Sequence, residues 1–472
     1  MNIQKSTLNT LVVRVAASIL GFVSIVVFAR ELTASELGIF FLFEMLIGFL
    51  AIPGSFGRGK ALIKRVSEKS ESGDIVATAV ILWLFSSLVI IGGIYFARNY
   101  INGYVGASIS YLLAIGISLR LSSSLPKNIL KGELRVGESE SLSLVQKLTW
   151  FSASVGLIWL GYGFYSLIYG LLVSYLLTTI LGLYKISIPI GFPTWKSAKS
   201  LFNYWKYVIF SFLDSNIYNW ADIAIIGLFL TQADVGIYEV AWRISFAVIL
   251  ASIAIEQTLL PQISSWDSVN STELIRQILP GALLGSLFIV IPAFFGTILL
   301  SEAILRIIFG AEYANGWLVL VILMGGKIVE ASDRILKTFV EGINLPNLRM
   351  RAVTVSIILN IVLNLILIWQ YGIVGAAIAT TFAFLASTLI TLYYVKQSIR
   401  LQLPVTEIGW CIIASIAMYA ILANIPDIEK LTSVAQLFFI VVLGAVIYLG
   451  ITLSHPSIRT KISYNLSMLY KQ

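Results

Sequence analysis

Residues 31–40 read ELTASELGIF and residues 229–238 read FLTQADVGIY. Leu32/Leu230, Thr33/Thr231, Gly38/Gly236 and Ile39/Ile237 are identical, and Glu36/Asp234 and Phe40/Tyr238 are similar. Each copy lies between two long apolar stretches. The correspondence continues downstream: Lys127, Ile129, Leu130 and Gly132 align with Lys337, Phe339, Val340 and Gly342, and IWLGYGFYS (158–166) resembles IWQYGIVG (368–375). The spacing drifts only from 198 to 210 residues. A tandem duplication of a unit of about 200 residues follows, and internal duplication in a membrane protein points to a transporter.

Composition places the chain in a bilayer. It is 58% hydrophobic and 12% charged, with a mean hydropathy of +0.91, against roughly 25% charged residues in ordinary soluble domains. A single cysteine, Cys411, rules out an intramolecular disulfide or a cysteine-built metal site, and the lone histidine, His455, lies in the C-terminal tail. The first residues, MNIQKSTLNT, lead into an apolar run reaching Ala29 with no small-residue cleavage site. That run reads as a first membrane span, not a signal peptide.

A helix needs about 20 mostly apolar residues to cross the hydrocarbon core. Fourteen segments qualify: 8–29, 37–56, 75–97, 104–125, 141–160, 164–183, 207–230, 237–260, 278–300, 317–340, 352–369, 373–395, 406–424 and 433–453. With the N-terminus cytoplasmic, 22 of the 32 lysines and arginines fall in inner segments, and only Arg30, Arg98, Arg306 and Lys430 fall outside. The positive-inside rule therefore puts both termini in the cytoplasm. It also accounts for the net charge of +8 without any nucleic-acid partner. Trp159, Trp317, Trp369 and Trp410 sit at expected helix ends, as an interfacial aromatic belt requires. The repeats start at the first and seventh spans, so they enter the membrane in the same direction and are parallel. The expected organisation is an N-terminal six-helix lobe (1–185), a basic cytoplasmic linker (186–206), a C-terminal six-helix lobe (207–396), and two extra helices with a tail (397–472).

Ionisable groups inside spans mark functional positions or paired charges. Arg14 either snorkels to the headgroups or faces a cavity. Arg243 follows Glu239 by four residues, which allows an ion pair or a ligand contact. Lys147 reads as a snorkelling residue near a helix end, and Glu256 as interfacial. The most polar span carries Lys327, Glu330, Arg334 and Lys337 on one helical face. These charges either neutralise one another or line a cavity, and Arg120 occupies the position in the other repeat that matches Glu330. A cavity richer in Arg and Lys than in acid favours an anionic solute. A second group, Asp222, Asn360, Asn364 and Thr380, with Ala376 sharing the Thr380 face, lies at a common depth of about 8 to 14 Å below the outer helix ends. Hard oxygen donors at one depth suit sodium; ordinary interhelical hydrogen bonding is the competing reading. Asp214 and Glu44 are further intramembrane acids.

The segments FARELTASELGIFFLFEMLIGFLAIPGSFGRGKALIKR (28–65), DIAIIGLFLTQADVGIYEVAWRISF (222–246), LLPQIS (259–264), ILRIIFGAEYANG (304–316) and NIVLNLILIWQYGIVGAAIAT (360–380) resemble the polysaccharide-type lipid flippases of the multidrug/oligosaccharidyl-lipid/polysaccharide exporter superfamily. The resemblance covers the first twelve spans. It implies an all-α polytopic fold of about 14 helices, with two parallel six-helix lobes in a V-shaped, MATE-like arrangement plus two C-terminal helices. It implies alternating access, and a substrate consisting of an oligosaccharide on a polyprenyl phosphate or pyrophosphate. Arg14 and Arg243 match arginines that face substrate phosphates in the lipid II flippase branch. Asp222, Asn360, Asn364, Ala376 and Thr380 match that branch's sodium site, with Asn364 standing where the branch has an acid. The particular acidic residue that is important on the second helix of the lipid II branch is absent, with Gly38 lying nearby, which favours a surface-polysaccharide or glycoprotein glycan over lipid II.

The resulting expectation is a flippase, not an enzyme, in a prokaryotic plasma membrane. Its substrate-facing residues are Arg14, Arg243, Arg120, Lys327 and Glu330. It needs no cofactor beyond sodium or proton coupling. Its partners are membrane lipid, the lipid-linked oligosaccharide, and glycan polymerase or ligase proteins. The alternatives are a cation-coupled multidrug exporter, which would prefer a less basic cavity, and a membrane glycosyltransferase, polymerase or ligase, which would need longer outer loops.

Overall fold

A computed structural model describes residues 3–55, 59–68, 72–189, 191–398, 403–456 and 458–459. The helices are α1 (Ile3–Glu31), α2 (Ala34–Gly54), α3 (Lys60–Ser67), α4 (Ser72–Val105), α5 (Ser110–Gly132), α6 (Val136–Trp159), α7 (Tyr165–Lys185), α8 (Trp195–Phe229), α9 (Gln232–Ser268), α10 (Thr272–Ile304), α11 (Trp317–Gly342), α12 (Pro346–Ser398), α13 (Val405–Ala423) and α14 (Val434–Leu453). The expected spans fall on these helices to within a few residues at their ends, except 104–125, which begins at the end of α4 and continues in α5. The spans 352–369 and 373–395 are the two arms of α12, which breaks at Gly372 (φ 59°, ψ −141°). Among the described residues, nine helical segments are long and apolar enough to cross a membrane. The short α3 buries Ala61, Leu62 and Val66 and exposes Lys60 and Lys64.

Backbone detail bears out the duplication. Thr33 caps α2: its N and Oγ1 donate to Glu36 Oε2 (3.0 and 3.1 Å), and Glu36 N donates back to Thr33 Oγ1 (3.2 Å). Thr231 and Asp234 repeat the arrangement at the start of α9 (3.0, 2.7 and 3.3 Å). Both are capping boxes, which satisfy helix N-terminal N–H groups reciprocally. The turn from α5 to α6 carries Leu134 at φ 64°, and the turn from α11 to α12 carries Asn344 at φ 59°. In each turn the next residue donates back five positions: Arg135 N to Leu130 O (2.8 Å), and Leu345 N to Val340 O (3.1 Å). This is the Schellman pattern that ends helices through a left-handed residue.

The two motif copies also pack on each other. A Cβ on Gly38 would lie 1.7 Å from Gln232 O, and one on Gly236 would lie 2.1 Å from Ala34 O. Ala34 and Gln232 are equivalent first residues of α2 and α9, so the contact is reciprocal, as a local two-fold relation generates. Only glycine permits so close an approach of two helix backbones.

By packing, the chain divides into two compact units, 1–236 and 237–472. Helix α8 begins the second repeat by sequence, yet it packs on α2, α3 and α4 of the first unit. Each unit contains an equivalent core: Val66, Ile75, Ala79, Leu125 and Ile129 in the first correspond to Ile263, Ile275, Leu279, Ile335 and Phe339 in the second. The counterpart of α3 is therefore the end of α9 beyond Pro261. In the second unit α13 and α14 pack on α10 through Met418, Leu422, Leu437, Ile440, Leu300 and Ala303, and Tyr448 Oη donates to Phe288 O at 2.9 Å.

Candidate functional site

In the second unit the polar face of α11 is an ion-pair network. Lys327 is 1% exposed, its Nζ donates to Glu330 Oε2 at 2.7 Å, and it lies 3.8 Å from the centroid of the Trp242 ring on α9. Such a cation–π contact gains strength where water is excluded. Arg334 grips Glu330 Oε1 through Nε and Nη2 (3.0 and 2.9 Å) and donates from Nη1 to Glu256 Oε2 on α9 (3.1 Å). One turn further, Lys337 Nζ pairs with Asp333 Oδ2 at 2.7 Å, and Ser387 Oγ on α12 faces both Asp333 oxygens at 3.1 Å. Every cation of the α11 face thus has a carboxylate partner. Glu256, expected at the interface, is one of these partners. Asp333 escaped the face pattern, although its spacing of four from Lys337 was a usable signal.

Arg243 Nε donates to Glu239 Oε1 at 2.7 Å, with the Arg243 side chain 29% exposed and Glu239 5%. The i,i+4 pair expected from spacing forms. On α12 the bend at Gly372 folds the two arms together, and Gly375 presses against Leu367 O. This brings Asn360 Nδ2 to 3.0 Å from Thr380 Oγ1. Asn360, Asn364, Ala376 and Thr380 are all buried and form an uncharged set of amide, hydroxyl and backbone oxygens on these two arms. Asp222 is buried on α8 in the first unit. Among the described residues no group of three His, Cys, Asp or Glu is placed to hold a metal ion.

In the first unit the buried Tyr175 of α7 has Arg120 of α5 and Glu44 of α2 as charged neighbours. By the repeat spacing, Arg120 matches Glu330 and Glu44 matches Trp242, so the two units place different chemistry at equivalent positions. Lys127 Nζ donates to Gln146 Oε1 (2.8 Å), and Lys131 pairs with Glu140 (3.1 Å). Lys147 does not snorkel from a helix end. It lies in the middle of α6 and donates to Ala17 O on α1 at 2.9 Å, an approach left open because residue 21 is glycine: a Cβ there would stand 3.1 Å from Nζ. The side chains of Arg14 and Asp214 lie outside the described residues.

Long apolar helices in two tandem repeats, with charged side chains buried against one another inside them, define a polytopic membrane transport fold. The solved structure of lipid II flippase MurJ in an inward closed conformation shares this fold with a TM-score of 0.80, over 94% of this chain and 98% of that one, at 19% identity. A multidrug resistance MATE family transporter in its inward-facing conformation matches with a TM-score of 0.66, over 81% of this chain and 94% of that one, at 14% identity. Residues 27–317 match the family described as polysaccharide biosynthesis protein, and the chain belongs to that family. Among its relatives is the probable low-salt glycan biosynthesis flippase Agl15 of Haloferax volcanii, 38% identical over 99% of both chains. The probable flippase AglR of the same organism is 28% identical over 94% of both.

Proposed function

We propose that this chain is a flippase that moves a lipid-linked oligosaccharide from the cytoplasmic to the outer leaflet by alternating access, for surface-polysaccharide or glycoprotein glycan synthesis. The observation that carries the proposal is the end-to-end similarity to a glycan biosynthesis flippase, 38% identity over 99% of the chain, and the MurJ-like fold supports it. The physics fits the task. A sugar head cannot enter hydrocarbon unaided, because each hydroxyl would lose its water partners, whereas a prenyl tail can stay in lipid while the head passes through a polar interior. We place the protein in a prokaryotic plasma membrane with both termini cytoplasmic, and the carrier as a polyprenyl phosphate or pyrophosphate. Arg14 and Arg243 would face the phosphates. Coupling would be to sodium or protons, with Asp222, Asn360, Asn364, Ala376 and Thr380 as the ion's oxygen ligands.

Deletion of the gene followed by glycan analysis tests this. Finished lipid-linked oligosaccharide should accumulate on the cytoplasmic face while surface glycan falls. Normal glycan with heightened drug sensitivity would sink the proposal and favour a multidrug exporter. Arg243→Ala should lose transport while keeping expression.

A further inference from the structure

We propose that Arg334 is the phosphate-gripping residue of the second unit, and that Glu256 holds its place when no substrate is bound, so that loading exchanges one oxyanion for another. The inference rests on the flippase reading above and concerns how that substrate is held.

The α11 network is graded in burial. The Lys327 side chain is 1% exposed and Glu330 7%, whereas Arg334 is 30% exposed and Glu256 28%. Glu330 spends both oxygens inside the network, Oε2 on Lys327 and Oε1 on the Nε–Nη2 edge of Arg334. Lys327 is in turn fixed against the Trp242 ring. Removing Glu330 from this arrangement would strand a buried cation, which is strongly unfavourable. Glu330 is therefore the fixed partner, and it locks the plane of the guanidinium.

The outer edge of Arg334 is held differently. It makes one bond, Nη1 to Glu256 Oε2 at 3.1 Å, to a carboxylate that is 28% exposed. Glu256 can leave and be hydrated at modest cost, whereas Glu330 cannot. An arginine whose plane is fixed on one edge presents its other edge already oriented, and guanidinium geometry matches phosphate oxygens. A sugar-linked pyrophosphate, ionised at both phosphorus centres, brings more charge and more acceptor oxygens than the carboxylate it replaces. Lys327, Arg334, Glu330 and Glu256 together are neutral, so an incoming phosphate finds net positive charge at Arg334 once Glu256 has given way. Binding made by exchange is moderate in strength. A carrier needs that, because it must also release its cargo. Position favours loading as well: Arg334 lies 17 residues beyond the first residue of α11 and eight before the last, about 12 Å from the end that our orientation makes cytoplasmic.

The test uses the full chain in nanodiscs, with geranyl phosphate and geranyl pyrophosphate as probes and uncharged geraniol as the control. Wild type should bind both phosphates and not geraniol. Arg334→Gln should weaken phosphate binding at least 10-fold, with Arg334→Lys between the two. Glu256→Gln should tighten it 3- to 10-fold, because the internal competitor has lost its charge. Unchanged or weaker binding by Glu256→Gln overturns the inference, and that variant decides the matter if Arg334→Gln fails to fold. Failure of wild type to bind either phosphate overturns it too. The flippase reading stands or falls separately, on the glycan of the deletion strain.

Discussion

Replacing Gly38 by alanine should be far more damaging than one methyl group suggests. The new Cβ would sit 1.7 Å from Gln232 O, where ordinary contact begins at 3.4 Å, so the backbones must part by about 1.7 Å. The obstacle is a main-chain carbonyl in the first turn of α9, where Thr231 and Asp234 fix the helix start, and it cannot rotate away as a side chain would. Overpacking in places where side chains can yield costs about 1 to 3 kcal/mol. Here we expect about 3 kcal/mol or more. For a unit of 236 residues that corresponds to a melting point lower by roughly 6 to 12 °C. Gly236→Ala should behave alike, and the double variant should cost less than the sum, because one separation relieves both clashes. Gly92→Ala on α4 is the matched control. Nothing lies within 4 Å of its new Cβ, so it should gain the helix-propensity difference of about 0.5 to 1 kcal/mol. The assay is thermal unfolding of the purified protein followed by tryptophan fluorescence. A Gly38→Ala melting point at or above that of wild type would refute the reciprocal contact.

Lys327→Met should cost about 3 kcal/mol by leaving Glu330 buried beside Arg334 alone, and adding Glu330→Gln should recover part of that; additive losses in chemical denaturation would contradict the pairing. Leu134→Gly should stabilise by about 0.5 to 1 kcal/mol, since leucine at φ 64° carries a left-handed penalty of about 1 to 2 kcal/mol that exceeds glycine's entropic cost. Leu134 is 66% exposed, so little packing is lost, and a lower melting point would count against this account. Hydrogen bonds from Arg135 and then from Lys185 hold the Glu138 carboxyl down at about 2. Because its folded value lies below the unfolded one, its stabilisation is full above about 4.3 and fades as pH falls towards 2. Glu138→Gln should therefore melt below wild type at pH 7 and converge with it in acid; a gap that stays constant with pH would show that the charge is irrelevant.

The apolar stretches were legible because hydropathy and length report directly on a helix that crosses hydrocarbon, and among the described residues nine helical segments are long and apolar enough to do so. Their ends were less legible. Helix α6 starts at Val136, not 141, and this moves Lys147 from the end of its helix to the middle. A hydropathy window cannot see that polar first turn, which is shaped by the Arg135, Glu133 and Glu138 ion pairs. Pairing within one helix could be read from spacing, as Arg243 with Glu239 shows. Pairing between helices could not: Arg334 and Glu256 are 78 residues apart, and no periodicity of either helix points at the other. The unit boundary was hidden for the same reason, since the lateral packing of α8 on α2, α3 and α4 leaves no mark in its own sequence.

The duplication separates what the scaffold needs from what it does not. Positions that constrain the backbone survive in both repeats: the capping boxes at Thr33 and Thr231, the left-handed residues 134 and 344, and the glycines 38 and 236. No packing adjustment can substitute for them. The buried polar interior does differ. At the repeat spacing of 210, Lys327 corresponds to Ile117, which is 0% exposed, and Glu330 corresponds to Arg120. The first unit therefore builds the equivalent helix with a hydrocarbon where the second has a buried lysine. Replacing a buried ion pair by well-packed apolar residues is often neutral or stabilising, and Ile117 shows that the fold accepts a hydrocarbon at the lysine position. Folding alone then gives no reason for the second unit to carry a buried lysine at this position, and in the same network Arg334 and Glu256 are about 30% exposed. The network ends in an arginine held by Glu330 through Nε and Nη2 and by Glu256 through Nη1, which is the arrangement that the proposed phosphate exchange requires.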